Sequence, residues 1–321
     1  MTTNLTSTKL NNCVITVDDN GSGRRIDNFL QSQLKGIPKN LIYKLLRHRK
    51  IRVNNKRVNH TYKLALTDEV YVPKLIYPDK ANLRFSISQQ QINLLINAIL
   101  YNDDYIIALN KPSGIAVHGG SKLKFSIIDV LRTFLPNLSF LELVHRLDRE
   151  TSGILLLAKK KSVLRLLHEQ FRTNQVKKSY CALVGGKWPS KQKIIQVPLK
   201  KHIIHSGAHI VRVNIEGKMS KTIFTTKEYF PNKEASLVQV NPITGRTHQI
   251  RVHAQYAGHP IALDKIYGDS NFNQQIAQTG LNRLFLHASS IVFIHPILKT
   301  TICLTAPLSQ ELKHSLSQLR S

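Results

Sequence analysis

The string His145-Arg146-Leu147-Asp148-Arg149-Glu150-Thr151-Ser152-Gly153 sets one carboxylate between two guanidiniums, directly ahead of the apolar run Ile154-Leu155-Leu156-Leu157-Ala158. A neighbouring cation favours the charged form of an acid, so Asp148 would stay ionised and available as a nucleophile or base. Polar residues at the mouth of a buried strand are fixed by the core yet open to a cleft. The same composition also suits a plain structural ion pair. The string alone leaves both readings open.

A second cluster, Thr244-Gly245-Arg246-Thr247-His248-Gln249-Ile250-Arg251-Val252-His253, places two arginines around a predicted helix start, with Thr247 as cap and an end near Gly258. Helix N-termini and guanidiniums both attract phosphate or carboxylate. His248, His253 and His259 lack the i,i+4 spacing of a zinc helix, so no metal is expected. A third string, Lys177-Lys178-Ser179-Tyr180, ends on a tyrosine where basic chain meets an apolar strand. Packing with a surface hydroxyl is the ordinary role of such a residue; base stacking or proton transfer is the functional one. No glycine-rich nucleotide loop is present, and no cofactor is expected.

These clusters need elements to position them. Strands are predicted at Tyr105–Leu109, Ile154–Ala158, 179–184, 211–215, 222–229, 236–241 and 291–294. Ser126 with Asp129 should open a helix running to Leu135, Ser162 should cap another, and a terminal helix should begin near Ser309. Strands and helices mix without a βαβ rhythm, which points to an α+β domain with a mostly antiparallel mixed sheet flanked by helices.

Ahead of it, Ile26, Phe29, Leu30 and Leu34 recur at helical spacing, Gly36 breaks the pattern, and Pro38 opens a second helix carrying Leu41, Ile42, Leu45 and Leu46. Ile51-Arg52-Val53 and Lys56-Arg57-Val58 flank Asn54-Asn55 as a hairpin, and Val70–Val72 adds a short strand. The organisation reads as a tail over 1–22, a small basic module over 23–75, a linker over 76–97 and a larger domain over 98–321.

The chain carries 46 Lys+Arg against 19 Asp+Glu, a formal net charge of +27 over 321 residues. Such an excess costs self-repulsion and favours a polyanionic partner, nucleic acid first. Eleven of the basic residues fall between Arg24 and Arg57, with Asp27 the one acid. Cys13, Cys181 and Cys303 are solitary, which excludes a disulfide scaffold and suits a reducing cytoplasm. No apolar run is long enough to span a membrane, and the opening MTTNLTSTKLNN has no apolar signal core.

The stretch RRIDNFLQSQLKGIPKNLIYKLLRHRKIRVNNKRV resembles the S-four-type (αL) RNA-binding module. HRLDRETSG, KKSY and GRTHQIRVH, in this order and with NKPSG and HGG before them, are similar to the RluA family of RNA pseudouridine synthases, in its RluC-type branch acting on large-subunit ribosomal RNA. The resemblance implies Asp148 as catalytic aspartate, Tyr180 as active-site tyrosine, and Arg251 as the arginine paired with the aspartate, drawn here as a forked partner. It implies Arg146 as filler of the gap left by a flipped base, with His145, Arg246 and His248 among the RNA-facing residues. In the basic module Arg25, Lys44, Arg47, Arg49, Arg52 and Arg57 are the RNA contacts expected.

The implied protein is a cofactor-free, monomeric cytoplasmic isomerase whose partner is ribosomal RNA. Its rivals are a non-catalytic RNA-binding or ribosome-assembly protein, which would not need Asp148, Tyr180 and Arg251, and a base-excising hydrolase, which would release free uracil. Each phosphate contact contributes about 0.7–0.9 to the log–log salt slope of binding. Deleting residues 1–75 is therefore expected to flatten that slope by several units in filter binding. An unchanged slope would move RNA binding to the larger domain.

Overall fold

The computed structural model describes residues 7–19, 21–34, 37, 39–78, 88–118, 126–138, 140–189, 192–203 and 209–321. Gly36, Pro38 and the glycines of the HGG string, Gly119 and Gly120, lie outside them. The chain forms two compact units, Met1–Ser86 and Ile87–Ser321.

In the first unit, helices Ile26–Gln33 and Lys39–Arg47 turn Ile26, Phe29, Leu30, Ile42 and Leu46 into one core with Val53, Val70 and Val72. That core backs a four-stranded sheet in the order Cys13–Thr16, Glu69–Val72, Arg52–Val53, Lys56–Arg57. Asn54 and Asn55 take φ of 47° and 61° at the hairpin tip. Positive φ at both central residues is what a two-residue turn between twisted strands requires. A further strand pair joins Ser7–Leu10 to Leu75–Pro78.

The second unit is built on an eleven-stranded sheet. Its main order runs His209–Val213, Gln192–Ile203, Lys218–Phe230, Ala235–Pro242, Lys177–Gly185, Leu286–Ile294, Ser152–Ala158, Ile106–Lys111, Ile99–Asn102. Every pairing is antiparallel except that of Ser152–Ala158 with Leu286–Ile294.

Strand Ser152–Ala158 is buried throughout, which is why its sequence is a continuous apolar run. Leu155 and Leu157 face the helix Ile127–Phe134. Ile154, Leu156 and Ala158 face the helix Lys161–Arg172. Burial of each large aliphatic side chain contributes roughly 1.5–3 kcal/mol. The strand end that carries the polar string is thereby fixed.

Three local expectations change. The stretch read as a linker contains the helix Gln89–Ile96, whose capping box joins Ser88 and Gln91 reciprocally. The helix Lys161–Arg172 has Lys160 at its N-cap, two residues ahead of Ser162, which lies inside the first turn. The helix Gln249–Tyr256 is capped by His248 in the left-handed region, φ 52°, without a side-chain cap from Thr247. Gln249 supplies the polar closure there: its carbonyl oxygen accepts from the Arg246 amide and the Thr244 hydroxyl, and its amide donates to the Lys221 carbonyl and Thr222.

Gly153 explains the glycine of the polar string. It has φ 106°, and a Cβ there would lie 2.2 Å from the Ala288 carbonyl oxygen across the parallel pairing. Gly153→Ala is expected to destabilise the protein by ~2 kcal/mol or more, through strain and backbone collision together. Urea denaturation should show the midpoint falling with the slope unchanged.

Candidate active site

Asp148 lies in the short loop that feeds strand Ser152–Ala158, and several hydrogen bonds tie that loop down. The Lys111 ammonium, fully buried, donates to the carbonyls of Pro112, Ile115 and Arg149 at 2.8–3.0 Å. Burial lowers its pKa to about 7, against the opposing pull of Glu150 and Asp148. Ser113 donates to the Glu150 carbonyl, the Gly114 amide donates to the Arg149 carbonyl, and Arg149 Nε donates back to the Gly114 carbonyl. The Ser152 hydroxyl meets His287 Nδ1 at 2.9 Å, while His287 Nε2 lies 3.0 Å from the Ala306 carbonyl. The NKPSG string and the TSG string are therefore two halves of one clamp on the Asp148 loop.

Across the cleft stands Arg251, from the first turn of Gln249–Tyr256 and only 5% exposed. Its Nη1 donates to Asp148 Oδ2 at 3.3 Å. The fork does not close on Asp148, as the sequence suggested. Nε and Nη2 both donate to Asp264, each at 2.7 Å. Asp264 also accepts from the amides of Ile266 and Tyr267, and the Tyr267 ring lies under the guanidinium at 5.0 Å. Burial works to raise the Asp264 pKa, but the arginine fork and the two amides outweigh it and hold the group below the usual carboxylate range. For Arg251 burial opposes the charge, and the two carboxylates reverse that effect.

His248 Nε2 is 3.8 Å from Asp148 Oδ2, the same oxygen that Arg251 Nη1 meets. Its Nδ1 lies 2.8 Å from the Tyr267 oxygen, which already accepts from the Val211 amide. The phenol proton therefore goes to Nδ1, and Nε2–H faces Asp148. Burial, partly offset by Asp148, lowers the His248 pKa and keeps the ring neutral.

Tyr180 stands on strand Lys177–Gly185 and packs between two apolar clusters, one containing Ala288 and the other Ala182, Val184 and Leu286. Burial and then the negative Asp148 raise its phenol pKa, so it holds its proton. His145 turns Nε2 to the Leu156 amide at 3.1 Å and stacks on Phe171 at 5.1 Å. Burial and the nearby Lys178 push its pKa down to about 4, so it serves as a neutral wall. Arg146 is exposed and has no polar partner among the described residues. Arg246 is exposed and keeps one long bond, 3.4 Å, to the Met219 carbonyl.

Asp148, Tyr180, Arg251, Arg146, His145, His248 and Arg246 all line one cleft of about 530 Å³. The sequence reading missed Asp264 and Tyr267. Their one signal was a lone acid set among apolar residues, Ile261 to Tyr267, in a chain poor in acids.

Comparison with known proteins decides the lineage. The model of the RNA pseudouridylate synthase family matches residues 105–256, and that of the S4 domain matches residues 24–70. The ribosomal large subunit pseudouridine synthase C of Pasteurella multocida is 52% identical over 96% of this chain and 94% of its own length. The protein of that name from Escherichia coli K12 is 52% identical over 96% of each chain. The chain belongs to the RluA family of RNA pseudouridine synthases. Among solved structures, human RNA pseudouridylate synthase domain containing 4 matches with a TM-score of 0.59 and 29% identity, covering 71% of this chain and 95% of that one.

In the S4 domain of this synthase, Lys44, Arg47, Arg49 and Arg57 line a separate groove of about 820 Å³ with Tyr43 and His60. Arg52 is exposed and pairs in register with Arg57. Arg25 is committed elsewhere: its Nη2 meets the buried Asp27 carboxylate at 2.8 Å. Among the described residues no three His, Cys, Asp or Glu side chains gather as a metal site, and no helix is long and apolar enough to cross a membrane. His253 bonds Ser220 and His259 meets the Gly185 carbonyl, so the histidines of this region are separately engaged.

An ammonium cannot reproduce the planar fork on Asp264 while also reaching Asp148. Arg251→Lys is expected to lower the melting temperature, because the two-bond fork on the buried Asp264 is lost although the charge is kept, and a hydrogen bond to a charged group contributes ~1.5–3 kcal/mol. Single-turnover rate on a uridine-containing RNA should fall with it, by at least tenfold. A stable, fully active Lys variant would show that charge alone suffices.

Proposed function

We propose that this synthase isomerises specific uridines of large-subunit ribosomal RNA to pseudouridine, with Asp148 as the catalytic residue. The observation that carries the assignment is that Asp148 is the one carboxylate among the described residues lining the cleft, part-exposed, held by Arg251 and sharing the cleft with Tyr180. The two bacterial relatives are named for large-subunit action, which supports the choice of substrate.

The reaction breaks the N1–C1′ bond, turns the uracil, joins C5 to C1′, moves the C5 proton away and leaves N1 protonated, so mass is unchanged. A base inside a stack is out of reach, so the nucleotide flips into the cleft and the partnerless Arg146 fills its place. Asp148 then serves by attack at C1′, by attack at C6, or by taking a ribose proton. Arg251 keeps the carboxylate charged and oriented in a site that loses water when the base enters. Tyr180 presents a flat, protonated ring for the uracil to stack on; with its pKa raised it is a poor base for the C5 proton. Walls of Phe171, Ile250 and Leu286 shield the detached base.

In this reading residues 23–75 bind RNA and the unit from Ile87 onward carries the chemistry. Every group of the site comes from one chain, so a monomer suffices, acting in the cytoplasm where ribosomal RNA matures.

Asp148→Asn removes the charge and the nucleophilic oxygen with little change of shape. Tritium release from 5-tritiated uridine RNA is expected to fall by several orders of magnitude, with filter binding unchanged or slightly tighter. Release that persists in the Asn variant would overturn the assignment. Loss of activity, affinity and melting temperature together would make Asp148 a structural ion-pair residue.

A further inference from the structure

Asp148 borders two chambers. Besides the cleft of about 530 Å³ lined by Tyr180, Phe171, Ile250 and Leu286, Asp148 also lines a neighbouring cavity of about 810 Å³. Arg146, Asp148, Arg246, His248 and Arg251 line both and form the partition. Both volumes lie in the ~300–1,000 Å³ range of pockets that enclose small organic groups. The two differ in their remaining walls. Where the first has chiefly Tyr180, Phe171, Ile250 and Leu286 beside Lys178, the second adds Lys201, Lys265, Arg149 and Arg283 together with the carboxylates of Glu150 and Asp264.

Two of these cations are notable for what they lack. Lys201 and Lys265 are exposed and have no hydrogen bond or ion pair among the described residues. Neither is a remote surface lysine. Lys201 lies directly across from Val211, so its side chain leaves the sheet on the face of the buried Val211, whose amide bonds Tyr267 behind the site. Lys265 follows Asp264, the residue that fixes Arg251. With Arg146 and Arg246 they gather four positive charges at one opening. The carboxylates lining the same cavity are engaged by other cations, Asp148 and Asp264 by Arg251 and Glu150 by Arg149, so these four charges are left to attract an external anion.

The connectivity of a nucleotide supplies that anion. With the uracil in the apolar chamber and C1′ at Asp148, the ribose stands at the partition and its phosphates emerge on the basic side. We propose that the second chamber is the track for the RNA phosphates flanking the target uridine, and that Lys201 and Lys265 are its phosphate ligands. The proposal rests on the assignment of this site to uridine in RNA. It makes these two lysines binding residues only, spent equally on ground and transition state.

The test uses the full-length protein with the Lys201→Gln/Lys265→Gln pair, both at exposed positions where the fold does not depend on the side chain, alongside Lys299→Gln/Lys313→Gln, an equal charge loss outside both chambers. Single-turnover tritium release is followed against enzyme concentration on a ribosomal RNA fragment. The chamber pair should raise the half-saturating concentration about tenfold, leave the maximal rate within about twofold, and reduce the salt slope by about 1.4–1.8, two contacts' worth. The control pair should move the half-saturating concentration far less. Methylphosphonate linkages beside the target should weaken the wild type to the level of the chamber variant and leave that variant little changed. Equal effects of the two pairs, an unchanged half-saturation, or a fall confined to the maximal rate would overturn the proposal while the uridine assignment stands. Absence of release from the wild type on ribosomal RNA would instead overturn that assignment.

Discussion

The guanidinium of Arg251, forked onto one buried carboxylate and touching a second, is the interaction on which the rest of the site depends. A buried charge needs near-complete pairing, because desolvation removes more than a single contact returns. Asp264 provides that pairing with two 2.7 Å bonds and is itself satisfied by two backbone amides. Of the three N–H groups that remain on Arg251, one on Nη1 points at Asp148 over 3.3 Å. The longer contact is the informative one. It leaves Asp148 oriented yet 29% exposed, with its oxygens open to a substrate, whereas a closed bidentate pair would have occupied them.

That economy works only if Asp148 cannot move. The loop carrying it is bounded on one side by a strand buried at every residue and on the other by a buried lysine that binds three carbonyls. Gly153 allows strands Ser152–Ala158 and Leu286–Ile294 to approach closely, which sets the depth at which the loop emerges. Groups fixed before the substrate arrives need no reorganisation during the reaction, and a shift of about 1 Å is enough to lose much of the effect.

Charge is distributed by task. The S4 domain collects Lys44, Arg47, Arg49 and Arg57 in an open groove, where long-range attraction and salt-sensitive binding are the natural consequences. Asp27 in the same domain binds Arg25 and the Tyr43 hydroxyl, using one cation to secure the helix pair. Around Asp148 the cations divide again, between those buried in pairs and those left free at the opening.

Sequence alone determined the elements whose signals are local. Helical spacing in Ile26–Leu34, the Asn54-Asn55 turn, the Ser126 and Ser309 caps and the apolar run after Gly153 each depend on residues within a few positions of one another, and each is present. The three strings that converge on the cleft were legible because residue type and order there match a known family. Tertiary structure decided the rest. Thr247 looked like a cap, but Gln249 reaches the Lys221 and Thr222 strand and closes the turn instead, a contact no local pattern encodes. His145 looked free to meet RNA, but the amide of Leu156 claims its ring. Asp264, thirteen residues beyond Arg251 and 116 beyond Asp148, carries no motif; only the fold brings its buried carboxylate to the one guanidinium that could keep it charged.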